Sequence, residues 1–193
     1  MKRRAVFLDR DGVLNNLIPD PRSGLPESPL RPEDVTLMDD AAEALSALRA
    51  AGFALVGVSN QPAAAKGVAS LDELRSVQAR IVELFARSGV TFDRFSFCFH
   101  HPEGSVPTLA TACECRKPAP GMLKEAIREL TLDPDASWMV GDTDTDIQAG
   151  RAAGVRTILI DNSASAHKRV AAATVTTAPN LLAAAEIILR DSR

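Results

Sequence analysis

Short apolar runs alternate along this chain with longer segments of helical period. The runs at 5–8, 54–59, 94–99, 137–140, 157–160 and 173–176 have the length and continuity of strands buried on both faces. Between them the period predicts helices over 41–51, 71–88, 121–130 and 144–153, and a last one over 181–189 after Pro179-Asn180. Gly52, Gly89 and Gly154 stand just past three of these helices. Glycine is the usual helix stop because it enters the left-handed region at least cost. Strands alternating with crossover helices predict a three-layer α/β/α sandwich, helices covering both faces of a mostly parallel, Rossmann-like sheet.

Two segments break the rhythm. Residues 15–38 carry Pro19, Pro21, Pro26, Pro29 and Pro32 with Gly24, a composition that resists helix and ladder and predicts a long, ordered surface loop. Residues 98–117 hold all three cysteines and two of the three histidines. Loops of this length inside a compact domain tend to shape sites. With no internal repeat or low-complexity linker, the 193 residues are expected to form one domain, 1–193.

Composition narrows the picture. A chain that is 46% hydrophobic and 24% charged is neither disordered nor fibrous. A formal charge of −3 without blocks of like charge offers no general attraction to nucleic acid or to a membrane surface, so an anion must be held by a local site. Three cysteines cannot build a disulfide framework and fit a reducing compartment. The basic start, Lys2-Arg3-Arg4, leads into an apolar run that Asp9 cuts after four residues, so no export signal is expected. No stretch approaches the roughly 18 apolar residues of a membrane span. A cytoplasmic location follows as the expectation, and the lack of a sustained apolar stripe favours a monomer.

The candidate chemistry begins where the first strand ends. Asp9-Arg10-Asp11-Gly12 puts two carboxylates on one side of the chain, two residues apart, with a glycine that lets the backbone turn. Ligands of open α/β sheets bind at that carboxyl edge. The pair is open to several uses: a divalent metal site, an acid/base pair, a carboxylate nucleophile, or capping and turn aspartates. A second acidic cluster, Gly141-Asp142-Thr143-Asp144-Thr145-Asp146, also runs from a strand into a helix. In a parallel sheet Asp142 emerges at the same edge as Asp9, and together they suit magnesium, which takes one or two carboxylates, water and a substrate phosphate. Ser59-Asn60-Gln61 offers a hydroxyl and amides at the next strand end, and Arg116-Lys117 supplies two cations. Such a set is what phosphoryl transfer through an aspartyl-phosphate requires.

Cys98-x-His100 and Cys113-x-Cys115 form a Cys3His set that suits tetrahedral zinc with no open position, hence a structural ion. Free buried cysteines are the alternative, and His101 is a rival ligand to His100. Closing the chelate would fix the backbone of Arg116 and Lys117, which directly follow Cys115. His167 reads as a solvated surface residue.

Asp9-Arg10-Asp11-Gly12, Ser59, Lys117 and Gly141-Asp142-x-x-x-Asp146 resemble, in order and placement, the four motifs of the haloacid dehalogenase (HAD) superfamily of phosphatases. The resemblance runs from Ala5 to about Gly154. It implies a HAD-like fold without a large cap, with Asp9 as nucleophile and Asp11 as general acid and base. Ser59 and Lys117 would hold the phosphate, and magnesium would sit on Asp9, the Asp11 backbone carbonyl and Asp142. Asp146 is left as an outer-sphere partner or as a first-turn aspartate favoured by the helix dipole. Phe99-His100-His101-Pro102-Glu103-Gly104 and Cys113-x-Cys115-Arg116-Lys117-Pro118-x-Pro120-Gly121-Met122 are similar to the zinc-binding branch that contains the D-glycero-D-manno-heptose 1,7-bisphosphate 7-phosphatases. That likeness implies removal of the C7 phosphate of a heptose bisphosphate on the way to nucleotide-activated heptose, with Asn60 and Arg116 meeting the substrate. The alternatives are a histidinol-phosphate phosphatase, another small sugar-phosphate phosphatase, or a non-catalytic binding module of the same fold. Pro62-Ala63-Ala64-Ala65-Lys66-Gly67 departs from the branch's usual Ser-Gly-x-Ala-Arg-Gly, replacing a bidentate fork by a point charge.

Overall fold

The structure is a computed structural model and describes residues 2–169 and 175–192. Its elements run β1 (Ala5–Leu8), β2 (Ile18–Pro19), β3 (Pro26–Glu27), α1 (Ala41–Ala50), β4 (Ala54–Asn60), α2 (Leu71–Arg87) and β5 (Arg94–Cys98). They continue α3 (Gly121–Glu129), β6 (Trp138–Gly141), α4 (Asp144–Ala153), β7 (Arg156–Ile160), β8 (Thr176–Ala178) and α5 (Leu181–Arg190). Six strands form one sheet in the order β5-β4-β1-β6-β7-β8, and each pairing is parallel. β1 lies at the point where the chain, having built outward through β4 and β5, returns to build the other side from β6. That switch point opens a crevice at the carboxyl ends of β1, β4 and β6.

Alternation along the strands splits the core in two. Val6 and Leu8 face α1, α2 and α5 with Leu45, Phe53, Ile81 and Ile188, whereas Ala5 and Phe7 face α3 and α4 with Met122, Leu123 and Met139. Both faces are therefore covered, as a buried parallel sheet demands. The ends are sequence-encoded: Ser70 and Glu73 form a reciprocal capping box on α2, and Gly154 closes α4 at φ 80°.

Two expectations need correction. The proline-rich segment is not free of ladder: Ile18 pairs with Glu27 and Pro19 with Pro26, antiparallel, and a single 3-10 turn spans Pro32–Asp34. The Asp20 N–H donates to the Leu25 carbonyl and Gly24, at φ 70°, donates to the Asp20 carbonyl, so a tight turn closes a ladder too short for its prolines to forbid. Among the described residues the last strand spans Thr176–Ala178, so it runs past the predicted end at 176, while Ala173 and Thr174 of the predicted 173–176 fall outside the described residues. No described helix is long and apolar enough to cross a membrane.

Candidate active site and metal centre

The carboxyl edge of the sheet carries a cavity of about 250 Å³ lined by Asp9, Asp11, Ser59, Asn60, Arg116, Lys117, Asp142 and Asp146. Strands β1, β4 and β6 deliver these groups by ending side by side, and Lys117 arrives from the loop before α3. Lys66, Lys168, Glu27 and Ser28 complete the rim.

Lys117 is the hub. Its ammonium donates to Asp9 Oδ1 at 2.7 Å and to the Val58 carbonyl at 2.8 Å, and pairs with Asp146 Oδ1 at 2.6 Å. The other Asp146 oxygen accepts from Thr143, whose backbone N–H and hydroxyl lie at 3.1 and 2.6 Å. Asp146 thus caps the first turn of α4 and also anchors the lysine, a contact the sequence did not suggest. Gly141 permits this, since a Cβ there would stand 2.1 Å from Asp146 Cβ.

Three buried carboxylates, Asp9, Asp142 and Asp146, face one ammonium. Burial drives the Asp9 carboxyl up to about 7 against the pull of Lys117, with Asp146 and Asp11 adding to the rise. Asp142 is pushed well above the carboxylate range by burial and then by Asp9 and Asp146. Although burial works against its charge, Asp146 and Asp9 hold the Lys117 ammonium above its ordinary value. Among the described residues neither Asp142 oxygen has a hydrogen-bond donor in bonding geometry, the nearby Ser165 hydroxyl donating to the Asp142 backbone carbonyl instead, an expensive arrangement unless a cation is the partner. Oxygen donors and negative charge are what magnesium takes, so Asp9 and Asp142 fit that ion; Asp146 lies in the same carboxylate group, with Oδ1 paired to Lys117 and Oδ2 to Thr143. Gly12, at φ 88°, makes the approach possible: a Cβ there would sit 2.0 Å from Asp142 Oδ2.

The Asp11 carboxylate is turned to a separate cradle. Arg10 Nη2 pairs with it at 3.0 Å, Asn15 Nδ2 donates at 3.0 Å and Gln61 Nε2 at 2.6 Å. Burial alone would raise this carboxyl, but the Arg10 charge and these hydrogen bonds overcome it and hold Asp11 below its usual range. Asn60 lines the cavity, yet its amide clips the Lys117 backbone in both directions: Nδ2 donates to the carbonyl at 2.9 Å and Oδ1 accepts the N–H at 3.0 Å. Arg116 donates to the His100 carbonyl at 3.3 Å. Arg10 and Asn15 had no assigned role from sequence, and Gln61 was read only as an amide at a strand end; their one sequence signal is that each lies in or near a motif, and the structure shows all three buried.

The loop at 98–117 gathers its soft ligands. The three sulfurs of Cys98, Cys113 and Cys115 lie 3.1–3.5 Å apart, and His100 Nδ1 is 3.4 Å from Cys115 Sγ and 3.8 Å from Cys98 Sγ. Tetrahedral bonds of about 2.3 Å would give edges of about 3.8 Å; the sulfurs sit somewhat closer than that, and the four ligand atoms, all within 4.8 Å of one another, form a set that could hold zinc. His101 stands apart and accepts the Glu103 N–H at Nδ1. His167 is exposed. The loop is built onto its neighbours: Gly121 N donates to the Glu114 carbonyl at 2.9 Å, and a Cβ on Gly121 would meet that oxygen at 2.2 Å.

A parallel sheet with a lysine-anchored aspartate at its switch point and a partnerless aspartate beside it defines a phosphatase of the HAD type, and a HAD-hydrolase-like family model matches residues 114–184. The chain is 40% identical over 153 residues to the D-glycero-beta-D-manno-heptose-1,7-bisphosphate 7-phosphatase of Yersinia pestis, covering 79% of this chain and 77% of that protein. It is 36% identical over 177 residues to the D-glycero-alpha-D-manno-heptose-1,7-bisphosphate 7-phosphatase of Burkholderia mallei, covering 91% and 89%. The crystal structure of the D,D-heptose 1,7-bisphosphate phosphatase from B. bronchiseptica, complexed with magnesium and phosphate, superposes with a TM-score of 0.80 at 25% identity, covering 97% and 99%. The chain belongs to the heptose-1,7-bisphosphate 7-phosphatase family.

Proposed function

We infer that this protein, as one catalytic unit over 1–193, hydrolyses the C7 phosphate of D-glycero-D-manno-heptose 1,7-bisphosphate through an aspartyl-phosphate. The observation that carries the chemistry is Asp9: one oxygen is pinned by Lys117 at 2.7 Å while the carboxylate faces the cavity beside an unpartnered Asp142. The substrate follows from what the relatives are named for.

Asp9 and Asp142, with the Asp11 backbone carbonyl, would hold magnesium, which when bound supplies positive charge to the carboxylates and the phosphoryl oxygens. The free oxygen of Asp9 attacks phosphorus, and the sugar oxygen leaves with a proton from Asp11. Phosphate dianion beside Asp11 raises its proton affinity for that step. Ionised again, Asp11 takes a proton from water, which attacks the same phosphorus and returns Asp9 as carboxylate and phosphate as product. Ser59 and Lys117 hold phosphoryl oxygens, with Lys117 also keeping Asp9 oriented. Arg116 and Lys66, on the rim, face the remainder of a doubly anionic sugar. Zinc on Cys98, His100, Cys113 and Cys115 is structural and sets the backbone of Arg116 and Lys117.

Turnover of the alpha and beta heptose bisphosphates, histidinol phosphate and simple sugar monophosphates, each with magnesium, tests the reading. A heptose bisphosphate is expected to have the highest kcat/KM, and the preferred anomer is read from the same comparison. Faster turnover of histidinol phosphate would reject the substrate assignment.

A further inference from the structure

Gln61 is a buried polar side chain, 2% exposed, that the mechanism above leaves without a part. It follows Ser59 and Asn60 at the end of β4, and its backbone N–H donates to the Cys98 carbonyl at 2.7 Å, which ties it to the first ligand of the cysteine loop. Its Nε2 lies 2.6 Å from Asp11 Oδ2 and 2.9 Å from Ser59 Oγ.

The chemistry of these atoms fixes the direction of both bonds. A carboxylate oxygen of ionised Asp11 only accepts, so the amide atom facing it is the nitrogen, which has two hydrogens and accepts nothing. One hydrogen goes to Asp11 and the other to Ser59, making Ser59 Oγ an acceptor at that contact. A hydroxyl has a single hydrogen, and Ser59 lines the cavity with Asp9 and Lys117. Its proton is therefore left to point into the space where a phosphoryl group is held.

We propose that Gln61 is a positioning residue that sets the polarity of the Ser59 hydroxyl, making it a fixed donor to phosphoryl oxygen, and that aims Asp11 at the same phosphoryl group. The inference rests on the placement of Ser59 and Asp11 under the proposed function. A donor preoriented in this way does not reorganise when charge develops, which is where such groups gain their effect. Glutamate, equal in shape but ionised, would reverse the bond: Ser59 would donate to it and lose its proton to the wrong side, and Asp11 would face a like charge.

A double-mutant cycle separates this role from mere packing. Heptose bisphosphate hydrolysis and competitive inhibition by inorganic phosphate are measured for wild type, Ser59→Ala, Gln61→Met and the double variant, with thermal unfolding as the control for folding. Ser59→Ala and Gln61→Met are each expected to weaken phosphate inhibition about tenfold, and the double variant is expected to lose less than about twofold more. Gln61→Glu is expected to be worse than Gln61→Met, by about tenfold in kcat. If Gln61→Met does not fold, the isosteric Gln61→Glu takes its place in the cycle.

Losses that multiply in the double variant would overturn the inference, as would a Gln61→Glu protein no worse than Gln61→Met. Ser59→Ala weakening phosphate while Gln61→Met leaves it intact overturns this inference alone. A Ser59→Ala protein that binds phosphate like wild type rejects the site assignment, and this inference with it.

Discussion

At the scale of single residues, the site is a set of buried charges that would suit a cation. Asp9→Asn removes the carboxylate proposed to attack phosphorus and is expected to lower magnesium-dependent phosphate release by several orders of magnitude. It also removes a carboxyl that burial has driven up to about 7, so at pH 8 the metal-free variant should unfold at a temperature no lower than metal-free wild type. Near-normal phosphate release would reject the aspartyl-phosphate. Gly12 gives a second prediction. With φ 88° and an added Cβ 2.0 Å from Asp142 Oδ2, Gly12→Ala is expected to cost about 1–3 kcal/mol and to weaken magnesium binding, seen by thermal denaturation and metal titration. The motif aspartates, Ser59 and Lys117 were legible in the sequence because their types and spacing are constrained by chemistry. Asn60 was legible as a cavity residue, but its clip on the Lys117 backbone was not, because the two are 57 residues apart.

At the scale of elements, the cysteine loop joins several walls of the cavity. Cys115 precedes Arg116 and Lys117, the Cys98 carbonyl receives Gln61, and the N–H groups of Ser105 and Val106 donate to the Ala65 carbonyl beside Lys66. Removing zinc is expected to abolish hydrogen-exchange protection over 98–117 and reduce phosphate release while far-UV circular dichroism still reports the sheet. Full activity in protein shown to be zinc-free would dissociate the loop from catalysis. Helices, and the long-run strands before the last one, were read to within a residue or two from period and glycine stops. The β2–β3 hairpin was not, because prolines argue against a ladder in general and only the turn at Asp20–Gly24 makes a two-residue one possible.

At the scale of the whole molecule, folding gathers carboxylates that the unfolded chain keeps apart, so stability depends on pH and on metal. The Asp9 pKa is raised on folding, from 3.8 to about 7, so its ionisation favours the unfolded state: stability is full below about pH 4 and is lost as pH rises through about 7. From Asp9 alone the loss reaches at most about 4 kcal/mol. Asp11, held below its usual range, titrates beneath this window and does not oppose it. Metal-free protein should therefore unfold at lower temperature at pH 8 than at pH 5.5, and magnesium should restore more stability at the higher pH. A flat profile without magnesium would mean that the carboxylate cluster is not strained.

The sequence by itself determined the order of strands and helices, the Cys3His set and the list of acidic and basic groups, because each rests on local period or on the chemistry of a short motif. Tertiary structure decided how those groups meet. The switch point at β1 brings Asp9, Ser59 and Asp142 to one edge, Lys117 divides its ammonium between Asp9 and Asp146, and Gln61 bridges Ser59 and Asp11. Apart from the short step between Gln61 and Ser59, these contacts join residues far apart in the chain, and their energies exist only once the sheet has removed them from water.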